Sequence, residues 1–372
     1  MIQKELEKRN LPELLRMRNG EAVTAENWPA RKQELLEILS ENLYGFTPAP
    51  PSEVRATVTG SDRYHTFGGK ATSQLMTLSF DTPGGEFSFP LHMMVPKRVE
   101  KPPVILLIAF RDQYPVPEEE IIDHGFALVR FHHHTVQPDD IHPDNYFANF
   151  TEGLGAMFIG DRKRVRTEWG KVGMWAYAAS RVMDYLQTRE DINRERIAVV
   201  GHSRNGKTAL WCRAQDPRFF AALGNNTNYG GGGLIRGSIG EDVPAFLKLG
   251  SYDFFCEGWK DFYQVPHSEL PFDQHFLVAS IAPRKVLIGS AAEDWWADPL
   301  AEQLCCVAAS PAFRRGFVCP DHVAAPGEAF LQGDIGYHLR KGLHYFSRTD
   351  WHRLMEFVRL HREERKAKQR NW

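Results

Sequence analysis

Residues 201–208, which read GHSRNGKT, could carry out either of two kinds of chemistry. They fit the pattern G-x-x-x-x-G-K-[ST], in which backbone N–H groups and a lysine hold the phosphates of a nucleotide. They also place Ser203 between two glycines directly after the apolar run IAVV, as in the sharp strand-to-helix turn that carries the nucleophile of a serine esterase. The two hypotheses demand different partner residues elsewhere in the chain.

A phosphate-binding loop needs a magnesium ligand as well as the loop itself. Such a ligand is usually an aspartate at the end of another buried strand, together with a serine or threonine after the lysine. Thr208 follows Lys207, and the apolar run KVLIGSA is followed by Glu293 and Asp294. These residues leave the nucleotide hypothesis open, although it assigns no role to His344.

A serine nucleophile needs a histidine base that a carboxylate orients, because its hydroxyl is a weak nucleophile by itself. In α/β-hydrolases the three residues follow one another in the order serine, acid, histidine, each at the carboxyl end of a strand. Ser203 follows IAVV, Glu293 and Asp294 follow KVLIGSA, and His344 follows IGYHLRKGL. Both the order and the positions are those that an esterase requires, which favours the esterase hypothesis.

The elements that must position these residues can be predicted from hydrophobic periodicity. Residues 170–188 carry an apolar stripe at helical spacing, which predicts a helix. Further helices are expected at KTALWCRAQ, directly after the turn, and from Thr349 onward. Buried strands are expected at PVILLIAF, FALVRF, IAVVG, AALGNN, KVLIGSA and IGYHLRKG. Strands that alternate with helices predict an α/β protein with a mostly parallel central sheet flanked by helices, a three-layer sandwich.

The segment before Lys101 has a different character. EVRATVTG, ATSQLMTLSF and EFSFPLHMMV predict strands, the last two of them joined by a turn at residues 81–85. We therefore expect residues 1–372 to form a single catalytic domain with a β-rich edge at about residues 50–100.

Composition and charge exclude several classes of partner. The 372 residues carry a formal net charge of −2, which gives no electrostatic reason to expect nucleic acid. The longest apolar run, VILLIAF, is far too short to span a membrane, and the N-terminal residues lack the apolar segment of a secretory signal. The chain as written is therefore expected in the cytoplasm, or outside the cell if a leader has been removed. Its oligomeric state is left open.

Two further groups of residues could suggest metal or redox chemistry. The five cysteines are an odd number without the spacing of disulfides or zinc ligands. His132, His133 and His134 are consecutive, and consecutive residues of a strand alternate between its faces, so all three cannot converge on one ion. These residues therefore give no reason to expect a metal or a cofactor. The basic C-terminal run HREERKAKQRNW is expected to be the solvated end of a helix.

The sequence around Ser203 resembles that of a known family. GHSRNGK is similar to the G-x-S-R-x-G-K signature of carbohydrate esterase family fifteen, the glucuronoyl esterases and their bacterial relatives. NGEAVTAENWPARKQELLEIL, LPFDQHFLVASIAPRKVLIGSAAEDWWADP and IGYHLRKGLHYFSRTDWHRLMEF also read like bacterial members, so the resemblance covers nearly the whole chain. It implies an α/β-hydrolase fold and a serine esterase that needs no metal.

The resemblance also implies a substrate and a set of site residues. Family members hydrolyse esters of 4-O-methyl-glucuronate side chains on xylan, including those that link xylan to lignin alcohols, and some relatives take acetyl esters. Matched by position, the implied residues are Ser203 as nucleophile, His344 as base, Asp294 as acid, Arg204 as stabiliser of the oxyanion, Lys207 as a ligand of sugar hydroxyls, Glu241 as a sugar-binding carboxylate and Trp296 as an aromatic wall of the sugar site.

The chemistry of two of these residues agrees with their implied roles. Arg204 directly follows the nucleophile, so its backbone N–H can face the oxyanion while its guanidinium adds positive charge. Lys207 lies one helical turn later, on the side that is expected to face the same cleft. Such cations suit a uronate substrate and its carboxylate product.

The chain departs from the family pattern at two places. Some members carry their acid after the strand that follows the elbow, but residues 225–228 read NNTN here and contain no carboxylate. The acid role then falls on Asp294 or on its neighbour Glu293. The glycine run at residues 230–233 replaces a more varied segment. In addition, family members are largely secreted, whereas this chain shows no signal peptide.

Together these observations predict a serine carboxylic-ester hydrolase. The favoured hypothesis is a glucuronoyl esterase that acts on glucuronoxylan-derived esters through a Ser-His-Asp triad and an acyl-enzyme. The alternatives are an acetyl esterase acting on xylan oligosaccharides, a nucleotide-binding protein of the P-loop type, and a sugar-binding homologue without activity.

Overall fold

The computed structural model describes residues 1–110, 115–139, 150–248 and 253–361. Within these ranges the chain builds a ten-stranded sheet with α-helices on both faces. The basic C-terminal run, apart from His361, lies outside the described residues. No helix of the described ranges is long and apolar enough to cross a lipid bilayer.

The order of the strands places the parallel ones at the centre of the sheet. The strands are β1 (Val54–Asp62), β2 (Ala71–Thr82), β3 (Gly85–Pro96), β4 (Val104–Ala109), β5 (Ala127–His132), β6 (Ile197–His202), β7 (Ala221–Asn225), β8 (Lys285–Ala291), β9 (Ala329–Phe330) and β10 (Ile335–Arg340). They lie side by side in the order β1-β2-β3-β5-β4-β6-β7-β8-β10-β9. Pairing is parallel from β5 across to β10. It is antiparallel at both edges, one of which is formed by the β-rich N-terminal segment.

Helices connect most of these strands. In the described ranges the α-helices are α1 (Ile2–Glu7), α2 (Trp28–Leu39), α3 (Glu118–Asp123), α4 (His133–Val136), α5 (Gly153–Phe158), α6 (Lys171–Leu186), α7 (Arg204–Gln215), α8 (Val243–Lys248), α9 (His275–Ser280), α10 (Pro299–Ala309) and α11 (Arg348–Leu360). The three helices that periodicity predicts after residue 169 correspond to α6, α7 and α11.

The hydrophobic pattern of the central strands explains why helices cover both faces of the sheet. Along β4, Val104 and Leu106 belong to one buried cluster, whereas Ile105 and Leu107 belong to the other. The first cluster includes apolar residues of α6 and α7, and the second includes those of α11. Because successive strand residues point to opposite faces, uniformly apolar strands need a helical layer on each side. The result is the three-layer α/β sandwich that the sequence predicts.

Three strands, β4, β7 and β10, end earlier than their predicted runs, and the ends of β7 and β10 lie at the site. β7 ends at Asn225 because Asn226 adopts a φ of 50°. β10 ends at Arg340, and the chain turns at Gly342, where φ is 96°. Both ends lie at the carboxyl edge of the parallel strands, where β6 leads into Ser203 and β8 leads toward the predicted acid. The loops after these four strands therefore meet at one edge of the sheet.

Candidate active site

Ser203 occupies a sharp turn between β6 and α7. Its φ of 53° and ψ of −128° lie in a region that residues other than glycine rarely adopt. Backbone hydrogen bonds hold the turn: Ser203 N–H donates to Asn225 O at 2.8 Å, and Ser203 O accepts from Gly206 N at 2.8 Å and from Lys207 N at 3.0 Å. This is the geometry of a nucleophile elbow, which exposes the serine hydroxyl above the carboxyl edge of the sheet.

Two glycines make the elbow possible by allowing close approach. A β-carbon on Gly201 would lie 2.0 Å from Asn205 O, a backbone atom that cannot move aside. A β-carbon on Gly206 would lie 2.6 Å from the Cγ2 methyl of Thr227. The glycines that also satisfy the phosphate-loop pattern therefore serve here to pack α7 onto the turn and onto the loop after β7.

His344 and Asp294 form a direct hydrogen-bonded pair. Their Nδ1 and Oδ2 atoms lie 2.6 Å apart, and because an ionised carboxylate only accepts, Nδ1 carries the proton and donates. Nε2 is then the nitrogen that can take a proton from a nucleophile. Asp294 lies after β8 and is 4% exposed, whereas the His344 side chain is 33% exposed. The pair joins the loops after β8 and β10.

Asp294 stays ionised because its donors outweigh its burial. Burial raises its pKa, but the hydrogen bond and charge of His344, the Asn226 amide at 2.6 Å and the Ala297 N–H at 3.2 Å hold that pKa below its ordinary value. Asn226 comes from the loop after β7, the stretch that contains no carboxylate. That loop thus supplies a donor to the predicted acid.

His202, the residue before Ser203, packs its ring against His344. The two ring centroids lie 4.5 Å apart at an angle of 46°, which places His344 beside the elbow. His202 Nδ1 donates to Asn225 Oδ1 at 2.7 Å. Burial and the nearby charge of His344 lower the pKa of His202 to about 3, so its ring is neutral at neutral pH. His344 can therefore take up a proton without repulsion from a second imidazolium.

Arg204, the residue after Ser203, directs its guanidinium toward Asp139. Nη1 donates to Asp139 Oδ2 at 2.5 Å, and the guanidinium carbon lies 5.0 Å from the centroid of the Phe254 ring. The same Oδ2 lies 3.0 Å from His133 Nε2, a residue of the histidine run. Burial raises the pKa of Asp139, but His133 and Arg204 hold it well below its ordinary value. The Arg204 side chain is 29% exposed, so its charge can still act on a bound substrate.

Lys207, Glu241 and Trp296 form a hydrogen-bonded cluster. Lys207 Nζ donates to Glu241 Oε2 at 2.5 Å, and Trp296 Nε1 donates to Glu241 Oε1 at 2.7 Å. The ammonium also donates to Thr227 O and, at 2.7 Å, to Tyr229 O, so its three N–H bonds all have protein acceptors. The Lys207 side chain is 2% exposed. On the side of α7 that is predicted to face the cleft, the carbonyls after β7 draw the Lys207 ammonium inward.

Electrostatics connect this cluster with the His344–Asp294 pair. Burial holds the pKa of Glu241 above its ordinary value, although Lys207, the Trp296 N–H and the charge of His344 all act to lower it. Burial lowers the pKa of Lys207, which the Glu241 carboxylate opposes. Trp296 is 41% exposed and presents its ring at the mouth of this cluster. A sugar could therefore contact the Trp296 ring directly, whereas a hydroxyl would have to replace an existing acceptor to bind Lys207.

Glu302 on α10 is a buried carboxylate that sequence reasoning misses. Its Oε1 accepts from Thr227 N at 2.6 Å and from Asn228 N at 3.2 Å, and its Oε2 accepts from Ser290 Oγ at 2.5 Å. It thereby ties the loop after β7 to β8. Burial raises its pKa to about 7, although these donors oppose the shift. Nothing in the sequence marks this residue, because a glutamate within a helix is normally exposed.

Asn226 and Asp139 are two further residues that sequence reasoning does not identify. The only signal for Asn226 is its position directly after β7, and Asp139 gives none, since only the fold brings it to Arg204. Glu293, the alternative acid, accepts from Gly342 N at 3.0 Å. It therefore holds the backbone of the loop that carries His344.

The sandwich and the elbow define an α/β-hydrolase fold, and the His–Asp pair beside the elbow suits ester hydrolysis. The family model described as glucuronyl esterase of fungi matches residues 79–315, more than half of the chain. A carbohydrate esterase from an unknown prokaryotic organism is 30% identical over 95% of this chain and 90% of its own length. A 4-O-methyl-glucuronoyl methylesterase from Wolfiporia cocos is 27% identical over 82% of this chain and 71% of its own length.

Solved structures agree with these matches. A glucuronoyl esterase from Solibacter usitatus aligns with a TM-score of 0.83 at 29% identity, over 94% of this chain and 97% of that one. The chain belongs to the glucuronyl esterase family, carbohydrate esterase family 15, and it is an esterase. The resemblance inferred from GHSRNGK is thereby confirmed.

Proposed function

We propose that the chain is a serine carboxylic-ester hydrolase that cleaves glucuronate esters of the kind carried by glucuronoxylan. In this proposal Ser203 is the nucleophile, His344 the general base, Asp294 the acid of the triad and Arg204 a stabiliser of the oxyanion. The observation that carries it is the 2.6 Å bond between His344 Nδ1 and Asp294 Oδ2, beside the strained elbow of Ser203.

The reaction runs through an acyl-enzyme. Ser203 Oγ attacks the ester carbonyl while His344 Nε2 takes its proton, and Asp294 keeps Nδ1 protonated and stabilises the imidazolium. His344 then gives the proton to the departing alkoxide. Water attacks the acyl-enzyme in the same way, and the proton returns to Ser203 Oγ as the acid leaves. The N-terminus of α7 and the guanidinium of Arg204 stabilise the negative charge that develops on the carbonyl oxygen.

The acyl group of the substrate is assigned to a glucuronoyl group, the group named in relatives such as the Wolfiporia cocos methylesterase. The cluster of Lys207, Glu241 and Trp296 is the part of the site that would receive its sugar ring. The Trp296 ring offers an apolar face on which a sugar can pack, and the Glu241 carboxylate can accept from ring hydroxyls. An acetyl group has no hydroxyl that could use these residues, which favours the glucuronoyl substrate.

The experiment that tests this proposal compares two substrates in parallel. We expect kcat/KM on methyl or benzyl glucuronate to exceed that on acetylated xylo-oligosaccharides by at least about tenfold, because a site that binds hydroxyls on the acyl side of the ester discriminates against an acetyl group, which has none there. The reverse ranking would favour the acetyl esterase. If neither ester is cleaved and a fluorophosphonate fails to label Ser203, the chain is a sugar-binding homologue without activity.

Two observations speak against the nucleotide-binding alternative. The ammonium of Lys207 is occupied by Glu241 and two carbonyls, and Thr208 Oγ1 donates to Arg204 O at 2.9 Å. Neither side chain is directed toward a phosphate. A thermal-shift assay with ATP and Mg²⁺ is expected to show no stabilisation, and a clear rise of Tm would revive this alternative.

A further inference from the structure

The loop that carries His344 has no regular secondary structure, so its position depends on groups that hold its backbone. Residues 341–347 connect β10 to α11. Glu293 holds the first part of this loop, because its Oε1 accepts from Gly342 N at 3.0 Å and its own N–H donates to Gly342 O at 3.1 Å. Both bonds are made to Gly342, two residues before His344, so other groups must hold the backbone directly beside His344.

Arg340, the last residue of β10, holds the backbone on both sides of His344. Its Nη1 donates to Lys341 O at 2.9 Å, and its Nη2 donates to Leu343 O at 3.1 Å and to Tyr345 O. Leu343 and Tyr345 directly precede and follow the imidazole. Arg340 is 7% exposed, so water cannot readily substitute for these bonds if the guanidinium is removed.

Asp350, in the first turn of α11, holds the guanidinium itself. Its Oδ2 accepts from Arg340 Nε at 2.8 Å and from Ser347 N at 2.7 Å, and its Oδ1 accepts from His338 Nε2 at 2.7 Å. Asp350 is fully buried. Burial raises its pKa, but His338 and Arg340 hold that pKa below its ordinary value, so the carboxylate is charged and can fix the cation.

We infer that Arg340 and Asp350 are positioning residues for His344. The inference rests on the proposed function, because it takes His344 as the base. A guanidinium that binds the carbonyls on both sides of His344 fixes the direction in which the imidazole leaves the backbone. A reacting group displaced by about 1 Å can lose about 10²-fold in rate. Asp294 and His202 cannot substitute for this effect, because they contact the ring and not the backbone that carries it.

The test compares Arg340→Gln with Arg31→Gln. Arg31 is a matched control on α2: it is 3% exposed, its Nε donates to Leu14 O at 2.9 Å, its Nη2 donates to Glu13 O at 3.0 Å, and its Nη1 binds the Glu34 carboxylate at 2.9 Å. It therefore holds carbonyls in the same way but on a different loop. For wild type and both variants, kcat and KM would be measured on methyl glucuronate and on p-nitrophenyl acetate, together with Tm.

We expect Arg340→Gln to lower kcat by about 10- to 100-fold on both esters while KM stays within about twofold. Arg31→Gln is expected to lower Tm comparably and to leave kcat unchanged. If Arg340→Gln does not fold, Arg340→Lys takes its place, since one ammonium cannot reach all three carbonyls and should also lower kcat. A folded Arg340 variant with wild-type kcat, or an equal loss of kcat in Arg31→Gln, overturns the inference.

The two esters separate this inference from the proposed function. His344 would act on any ester, so p-nitrophenyl acetate reports on the positioning of His344 even if the wild type leaves glucuronate untouched. A wild type that cleaves neither ester and resists fluorophosphonate labelling overturns the proposed function, and the inference with it. An active wild type whose kcat does not depend on Arg340 overturns the inference alone.

Discussion

At the residue scale, the strained backbone of Ser203 is explained by the position that the turn gives to the serine hydroxyl, at the carboxyl edge of the sheet. A φ of 53° at a residue with a β-carbon costs about 1–3 kcal/mol, and such strain persists only where the surroundings hold it in place. Asn225 O holds the N–H of Ser203, and the first turn of α7 holds its carbonyl. The strain keeps the hydroxyl at the edge where the other site residues gather.

Ser203→Ala should abolish turnover and leave folding intact. Alanine keeps the β-carbon and so leaves the backbone strain nearly unchanged, whereas loss of the hydroxyl removes the proposed nucleophile. We expect kcat to fall by at least about 10⁴-fold. Steady-state kinetics, thermal melting and fluorophosphonate labelling check this. More than a few per cent of residual activity would place the nucleophile elsewhere.

Asp294→Asn should cost far more activity than Glu293→Gln. An asparagine cannot hold Nδ1 of His344 protonated or stabilise the imidazolium, and kcat should fall by about 10⁴-fold. Glu293 accepts a hydrogen bond from the backbone N–H of Gly342, and the side-chain oxygen of a glutamine can accept the same bond. The loss of kcat in Glu293→Gln should therefore stay below about tenfold. Kinetics of the two variants on one ester decide the assignment. The opposite ranking would make Glu293 the acid.

Lys207→Met should be selective for the sugar substrate. Loss of the Lys207 ammonium leaves Glu241 without its ion pair. The value of kcat/KM should then fall by about 10- to 100-fold on methyl glucuronate but only several-fold on p-nitrophenyl acetate. Lys285→Met is the matched control, because Lys285 forms a buried ion pair with Asp334 at the amino ends of β8 and β10. Breaking either pair should cost about 3–5 kcal/mol of stability.

The contrast between the two esters decides what Lys207 does. An equal loss on both would mean that Lys207 supports the loop after β7 or the oxyanion. A selective loss in Lys285→Met would mean that the effect comes from lowered stability and not from the sugar site. Either outcome would remove Lys207 from the proposed substrate-binding residues.

At the element scale, the site depends on how closely the loops after β6, β7, β8 and β10 approach one another. The loop after β7 is central to this arrangement. Asn226 donates to the Asp294 carboxylate, and Thr227 O accepts from Lys207. Glu302 of α10 holds the loop by accepting from Thr227 N. The elbow packs against this loop through Gly206, where a β-carbon would meet the Thr227 methyl.

Gly201→Ala should disrupt the elbow, whereas Gly60→Ala should be tolerated. The new methyl at Gly201 would lie 2.0 Å from Asn205 O, so β6 and α7 would have to separate, at a cost of about 1–3 kcal/mol or more. At Gly60 the nearest atoms lie 3.7 Å away, which is ordinary contact. Urea unfolding and kcat check both. A Gly201→Ala protein with wild-type stability and kcat would contradict the tight packing of the elbow.

At the scale of the whole molecule, buried neutral histidines couple stability to pH. Burial lowers the pKa of His202 to about 3 and that of His275 to about 4, from an ordinary value of 6.5. The unfolded chain therefore binds these protons near pH 6.5, whereas the folded chain binds them only near pH 3 to 4. Their contribution to stability is complete above pH 6.5 and is lost as the pH falls through this window.

His275→Gln should weaken this pH dependence. His275 Nε2 donates to Pro12 O at 3.1 Å, a bond that a glutamine amide can also make. Between pH 6 and 5, the free energy of unfolding of the wild type should fall by about 1 kcal/mol more than that of the variant. Urea unfolding at pH 7, 6 and 5 measures both slopes. Identical slopes would show that His275 titrates normally.

The raised pKa of Glu302 changes stability with pH in the opposite direction, but this effect cancels when the His275 variant is compared with the wild type. Burial raises this pKa to about 7, so the folded chain binds this proton at a higher pH than the unfolded chain does. Its contribution to stability is therefore lost as the pH rises from about 4.5 to 7. Because both proteins contain Glu302, the difference between their slopes belongs to His275.

Local patterns predict nine of the ten strands of the described sheet, the helices α6, α7 and α11, and the three-layer arrangement. Apolar runs mark strands that are buried on both faces, and the positions directly after these runs are the carboxyl ends where Ser203, Asp294 and His344 lie. Chain order predicts that the loops after β8 and β10 meet, because parallel strands bring their carboxyl ends to one edge. It leaves the partner of His344 open between Glu293 and Asp294, and the family resemblance selects Asp294, which makes the contact. The catalytic roles of Ser203, Asp294 and His344 remain predictions.

Only the folded chain decides how these residues are held. Helical spacing predicts that Lys207 lies on the cleft side of α7, but it does not predict that carbonyls from another loop draw its ammonium inward. Asn226 and Glu302 lie far from their partners in sequence, and Arg340 binds carbonyls of the loop after β10, which has no periodic pattern. Their roles depend on which backbone groups meet and on how completely water is excluded there. Residue spacing predicts neither the contacts nor the exclusion of water, because both depend on how separate segments pack in the folded chain.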